Sequence, residues 1–94
     1  MVSAEDAYRM GLVNRVTPEG EAMHEARRLA ELIASKSPLT LKIGKRAFYE
    51  QAAMPLRAAY DHAARVMVEN MLARDAEEGI GAFIDKREAK WEGR

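Results

Sequence analysis

Apolar positions recur at helical spacing along most of the chain. Met23, Ala26, Leu29, Ala30 and Ile33 fall on one face, and Arg27, Arg28 and Glu31 take much of the other. Leu56, Ala59, Tyr60, Ala63, Val66, Met67 and Met71 repeat the pattern, as do Ile80, Phe83, Ile84 and Arg87. The residues between these stretches read as starts and stops. Ser3 is placed to cap a short helix to Met10, with Glu5 and Asp6 where the helix dipole favours negative charge, and Gly11 is placed to end it. Leu12 to Val16 reads as an extended segment, a candidate short strand. Thr17-Pro18-Glu19 joins a cap, a preset φ and an acid, and so predicts the start of a second helix. Ser37-Pro38 repeats the device and predicts a third helix to about Gln51. Gly44 weakens that helix by roughly 1 kcal/mol relative to Ala, which a close approach by another backbone would justify. Pro55 marks a break before a fourth helix, Leu56 to Ala73. Asp75 and Glu78 form a D-x-x-E arrangement, a relative of the capping box, that opens the last helix. The tail from Glu88 to Arg94 carries Trp91 and is expected to be frayed or extended. The fold class is therefore all-α: about five helices and one short extended segment in a single helical domain over residues 1–94.

Composition makes this core thin. A chain of 94 residues is at most one domain and buries only a little over ~60% of its unfolded surface. Hydrophobic residues reach 48%, but aromatics are only 6% and much of the remainder is alanine, which favours helix and adds little buried area. A partner surface, or a second copy of the chain, is expected to complete the core. Fifteen basic residues balance fifteen acidic ones, so long-range attraction to nucleic acid or an anionic membrane is not expected. With no cysteine there is no disulfide or thiolate chemistry. MVSAEDAYRM lacks the basic and apolar regions of a secretory signal, and no run approaches the ~18 apolar residues of a membrane span. A soluble, cytoplasmic chain is the expectation.

Candidate chemistry is sparse. His24 and His62 stand far apart, without the three or four ligands at compatible spacing that a metal needs. Glu77-Glu78 opens a helix, and capping accounts for the pair without catalysis. Gly79 and Gly81 sit inside a helical pattern, so they do not form a dinucleotide fingerprint. The basic residues Lys42, Lys45 and Arg46 on the third helix, and Lys86, Arg87 and Lys90 at the end of the fifth, leave two readings open. One is a solvated face with cations favouring a helix C-terminus. The other is a phosphate grip in which Lys86 meets an anion while Phe83 offers a flat face.

The stretch Arg74 to Trp91, RDAEEGIGAFIDKREAKW, concentrates a helix start, a glycine-permitted close approach, an aromatic anchor and a Lys-Arg pair. With three other motifs it resembles the C-terminal region of the enoyl-CoA hydratase/isomerase (crotonase) family. Those motifs are S-A-E-D-A-x-x-x-G-L-V-N-x-V at 3–16, A-S-K-S-P at 34–38 and L-K-x-x-K-R-A-F at 41–48. Their order and spacing also agree, and the resemblance covers essentially the whole chain. F-Y-x-Q at 48–51 and M-V-E-N-M-L-A-R-D at 67–75 look most like a hydratase-domain-containing branch. The resemblance implies a spiral core of ββα units upstream, whose backbone N–H groups hold the thioester enolate oxygen. No segment corresponding to that core lies in this sequence. The expected role is therefore assembly into a homo-oligomer and covering of an acyl-CoA site, within an enzyme of fatty acid metabolism, as a fragment or truncated product with no catalytic residue of its own. The coenzyme A thioester would be the substrate of the whole enzyme, with no further cofactor and no metal. By position, Phe83 and Lys86 would contact the adenosine-phosphate end of CoA, three apart on one helical face. Where the family often has K-R-x-P, Ala89 replaces the proline, so the tail after Lys86 is expected to run differently. The alternative reading is a standalone helical oligomerisation or protein-interaction module.

Overall fold

A computed structural model describes residues 1–94 and contains five helices and no strand. They are α1 (Ala4–Arg9), α2 (Ala22–Ala34), α3 (Pro38–Ala52), α4 (Leu56–Met71) and α5 (Arg74–Ile84). The expected single domain is organised as two compact units, residues 1–33 and residues 34–94.

In the first unit, Ser3 caps α1 as expected, its Oγ accepting the Asp6 N–H at 3.0 Å. Gly11 follows at φ +76°. The segment expected to be extended does not form a strand. The Leu12 and Val13 N–H groups both turn back to the Ala7 carbonyl, at 2.9 and 3.4 Å, and no neighbouring strand is present to pair with. Helix α2 starts later than Thr17-Pro18 predicts. Glu21 N–H donates to Pro18 O at 3.1 Å and Gly20 takes φ +83°, which closes a turn with glycine at its third position. The glycine ends the run before a helix can start, and α2 begins at Ala22. Glu25 then accepts from Arg28 and Arg15, and the two guanidinium groups hold its carboxyl down to about 2.

In the second unit, Ser37 caps α3 by accepting the Thr40 N–H at 3.2 Å, with Pro38 in the first turn. Helix α3 packs on α4, and α4 on α5. Gly44 faces open space, so no backbone in this chain explains it. Gly79 is different. A Cβ there would lie 3.2 Å from two ring atoms of Trp91, the close approach that the glycine permits. The D-x-x-E pair does not cap α5. The N-cap is Ala73, which makes no side-chain bond, and Asp75 and Glu78 lie inside the helix with their carboxylates turned to other partners.

Very little is buried. Ala82 is the one buried apolar residue; Ser37 and Asp75 are the buried polar ones. Leu72, Phe83 and Leu56 are 84%, 85% and 75% exposed, and most large apolar side chains of α2 and α4 also face outward. The apolar stripes that predicted the helices are real, but within this chain they cover almost nothing.

Candidate functional site

The polar centre of the second unit is Asp75. Its carboxylate accepts the Ser37 hydroxyl at 2.5 Å, the Glu92 N–H at 2.7 Å and the Gly93 N–H at 3.1 and 3.2 Å. Its own N–H donates to the Arg94 carbonyl at 2.8 Å, satisfying one of the orphan donors of the first turn of α5. The Ser37 hydroxyl, followed by desolvation opposing it and the tail N–H groups assisting it, holds the Asp75 carboxyl below the usual range. One turn on, Glu78 accepts Arg87 through both terminal nitrogens, at 2.7 and 3.1 Å, and the Lys90 N–H at 2.8 Å. The Arg87 guanidinium, then the Lys90 N–H, pull Glu78 down to about 2. Trp91 Nε1 donates to the Ser35 carbonyl at 2.8 Å. The tail, expected to be frayed or extended, is therefore tied through five residues, Lys90 to Arg94, to α5 and to Ser35 just ahead of α3. The missed signal was that D-x-x-E inside a helix can face a returning run of backbone N–H groups as well as its own cap. The glycine-permitted close approach expected in this stretch, without a choice between Gly79 and Gly81, falls at Gly79 against Trp91.

Phe83 and Lys86 are placed differently from the shared helical face expected of them. Helix α5 ends at Ile84. Lys86 lies beyond it at φ 53°, the one non-glycine residue in the left-handed region. Its N–H donates to Phe83 O at 3.3 Å and the Arg87 N–H to Ala82 O at 3.0 Å, the paired bonds of a Schellman ending. Arg87, expected to continue the helical spacing, thus belongs to the turn. Phe83 opens onto a groove of about 470 Å³ whose walls include Ser35, Lys36, Arg87, Ala89 and Trp91. Lys86 is not among its lining residues; Lys36 is a cation that the sequence reading did not single out.

Neither histidine lines this groove. His62 Nε2 approaches Glu50 Oε2 to 3.0 Å between α4 and α3 without hydrogen-bond geometry. Glu50 is in turn bound by Arg46, which holds its carboxyl low. No group of three or more His, Cys, Asp or Glu side chains is arranged to hold a metal ion. No helix is long and apolar enough to cross a membrane.

A sequence profile of the enoyl-CoA hydratase/isomerase family matches residues 1–94. The chain is 43% identical over 90 residues to the rat (Rattus norvegicus) mitochondrial enoyl-CoA hydratase domain-containing protein 3, covering 96% of this chain and 30% of that protein. It is 35% identical over 97 residues to the carnitinyl-CoA dehydratase of Escherichia coli, covering 99% of this chain and 37% of the dehydratase. The crystal structure of human enoyl-coenzyme A hydratase domain-containing protein 3 superposes with a TM-score of 0.89 at 41% identity, over 96% of this chain and 36% of that one. The chain thus spans about a third of the length of these relatives. Five helices without a strand, matched along their whole length by crotonase-fold proteins, make this chain the helical C-terminal part of that fold, and it belongs to the enoyl-CoA hydratase/isomerase family.

Proposed function

We propose that this chain is the assembly and CoA-covering segment of an enoyl-CoA hydratase/isomerase-like enzyme of acyl-CoA and fatty acid metabolism, and that it performs no catalysis alone. The observation that carries the reading is the match along all 94 residues to a family whose members are about three times longer, joined to apolar faces that the chain leaves uncovered. Phe83, 85% exposed, offers its ring to the adenine, and Lys86, beside it in the helix-ending turn, offers charge to a phosphate. The reaction of the whole enzyme is hydration or isomerisation of an acyl-CoA; its cofactor requirement is the thioester substrate itself. We place the protein in the cytoplasm as a homo-oligomer without nucleic-acid or membrane partners. The mitochondrial name of the rat relative supplies the competing location, which fractionation of cells expressing the intact gene product decides.

The test is a hydration assay on the isolated chain with crotonyl-CoA, following loss of the enone absorbance. No turnover is expected; a rate near the typical ~10 s⁻¹ that survives repurification would overturn the reading. The uncovered apolar faces also favour a second reading, a standalone helical oligomerisation or interaction module. Retention on CoA-agarose separates the two, because such a module would assemble without affinity for CoA.

A further inference from the structure

We infer that α4 is a contact between two copies of this chain, laid antiparallel about a twofold axis, with a row of alternating charges setting the register. The inference rests on the homo-oligomer reading and names the surface that makes it. The half-buried side of α4 meets α3, through His62 to Glu50 and Asn70 to Thr40. Its exposed side carries two adjacent rows at i, i+4 spacing, the ridges by which helices pack. One row is Arg57, Asp61, Arg65 and Glu69, alternating in sign; the other is Tyr60, Ala64, Val68 and Leu72. The charged row is poorly matched inside the chain. Arg57 reaches Asp61 only at 4.0 Å, with both side chains largely in solvent. Arg65 forms no salt bridge, and Glu69 acts only at a distance on Arg46, which Glu50 already holds. A twofold contact requires a surface complementary to itself. Reversed, this row is its own complement: antiparallel copies set Arg57 against Glu69 and Asp61 against Arg65, each pair made twice. Parallel copies in register would set like charges opposite one another. The same antiparallel register brings the exposed Tyr60 ring of one copy level with Arg65 of the other, where a guanidinium and its stem cover an aromatic face.

The experiment is sedimentation of the 94-residue chain at low ionic strength, as wild type, Asp61→Arg, Arg65→Asp, an equimolar mixture of these two, and the double variant. Asp61→Arg alone sets arginine against arginine, and Arg65→Asp alone sets aspartate against aspartate. Each should associate roughly tenfold more weakly than wild type, the size of a few exposed charge pairs lost or reversed. The mixture should recover wild-type association, because one chain then presents both arginines and the other both aspartates. The double variant should recover it within a single kind of chain. Ion pairs closed within one helix cannot produce recovery when separate chains are mixed. Added salt should weaken the wild-type association. Single variants that associate like wild type, or a mixture and double variant no stronger than the single ones, overturn the assignment. If wild type associates and the single variants match it, the homo-oligomer reading stands on another face and α4 is not its contact. If wild type sediments as a single 10.5 kDa species at every concentration, the homo-oligomer reading itself fails and the α4 assignment falls with it.

Discussion

Lys86 holds a backbone conformation that glycine enters with no Cβ penalty. A left-handed residue with a Cβ costs roughly 1–2 kcal/mol relative to the right-handed region, part of which glycine gives back through its larger unfolded-state entropy. Lys86→Gly should therefore stabilise the chain by about 0.5–1 kcal/mol, measured by urea denaturation, while removing one cation. A loss of stability would mean that the side chain supports the turn by a contact of its own. Asp75 is the opposite case, a side chain that cannot be spared. Asp75→Asn keeps the shape but replaces one accepting oxygen by a donor, facing either Ser37 or the N–H groups of Glu92 and Gly93. Amide exchange at those two positions should rise by roughly tenfold, and Trp91 emission should shift to the red. The sequence could show Asp75 as a polar residue near a helix start. It could not show that its partners are the Ser37 hydroxyl and backbone donors near position 93, because no periodicity records a contact at that separation.

Among the elements, the caps with local partners were legible and those with distant partners were not. Ser3 and Ser37 bond within their own first turns, so residue type and spacing sufficed. Thr17-Pro18 failed because Gly20 finds a left-handed turn two residues later, and α5 begins without a side-chain cap because its acids serve the tail. The two mid-helix glycines make a paired test. Gly44→Ala meets open space and should stabilise this chain by about 1 kcal/mol through helix propensity. Gly79→Ala places a methyl 3.2 Å from the pinned indole, and overpacking of ~1–3 kcal/mol should exceed the same propensity gain. Chemical denaturation of the two variants side by side checks the opposite signs. The tail also carries a pH dependence. Glu78 titrates near 2 when the Arg87 and Lys90 N–H contacts are made and near 4.5 when they are not. Its stabilising contribution is complete above about 4.5 and is lost as pH falls toward 2. Acid titration of Trp91 fluorescence should show a transition in that interval, and Glu78→Gln should remove it.

For the molecule as a whole, residue periodicity gave the helices and the family resemblance gave the fold, but neither told which faces would find a partner inside the chain. Leu56, Leu72, Phe83 and Ile84 stand out as far as surface residues do. Uncovered apolar surface of this extent recruits a partner, so the isolated chain should self-associate at micromolar concentration, and a single 10.5 kDa species in sedimentation would contradict this. The tie between Asp75 and the tail has a consequence for how a change at residues 92–94 travels through the second unit. The first turn of α5 is completed by the carbonyl of Arg94, and the Asp75 carboxylate accepts the N–H groups of Glu92 and Gly93. A disturbance of residues 92–94 would thus remove a backbone acceptor from the start of a segment lying well upstream, and the damage would spread from there to the Ser37 hydroxyl at the head of α3.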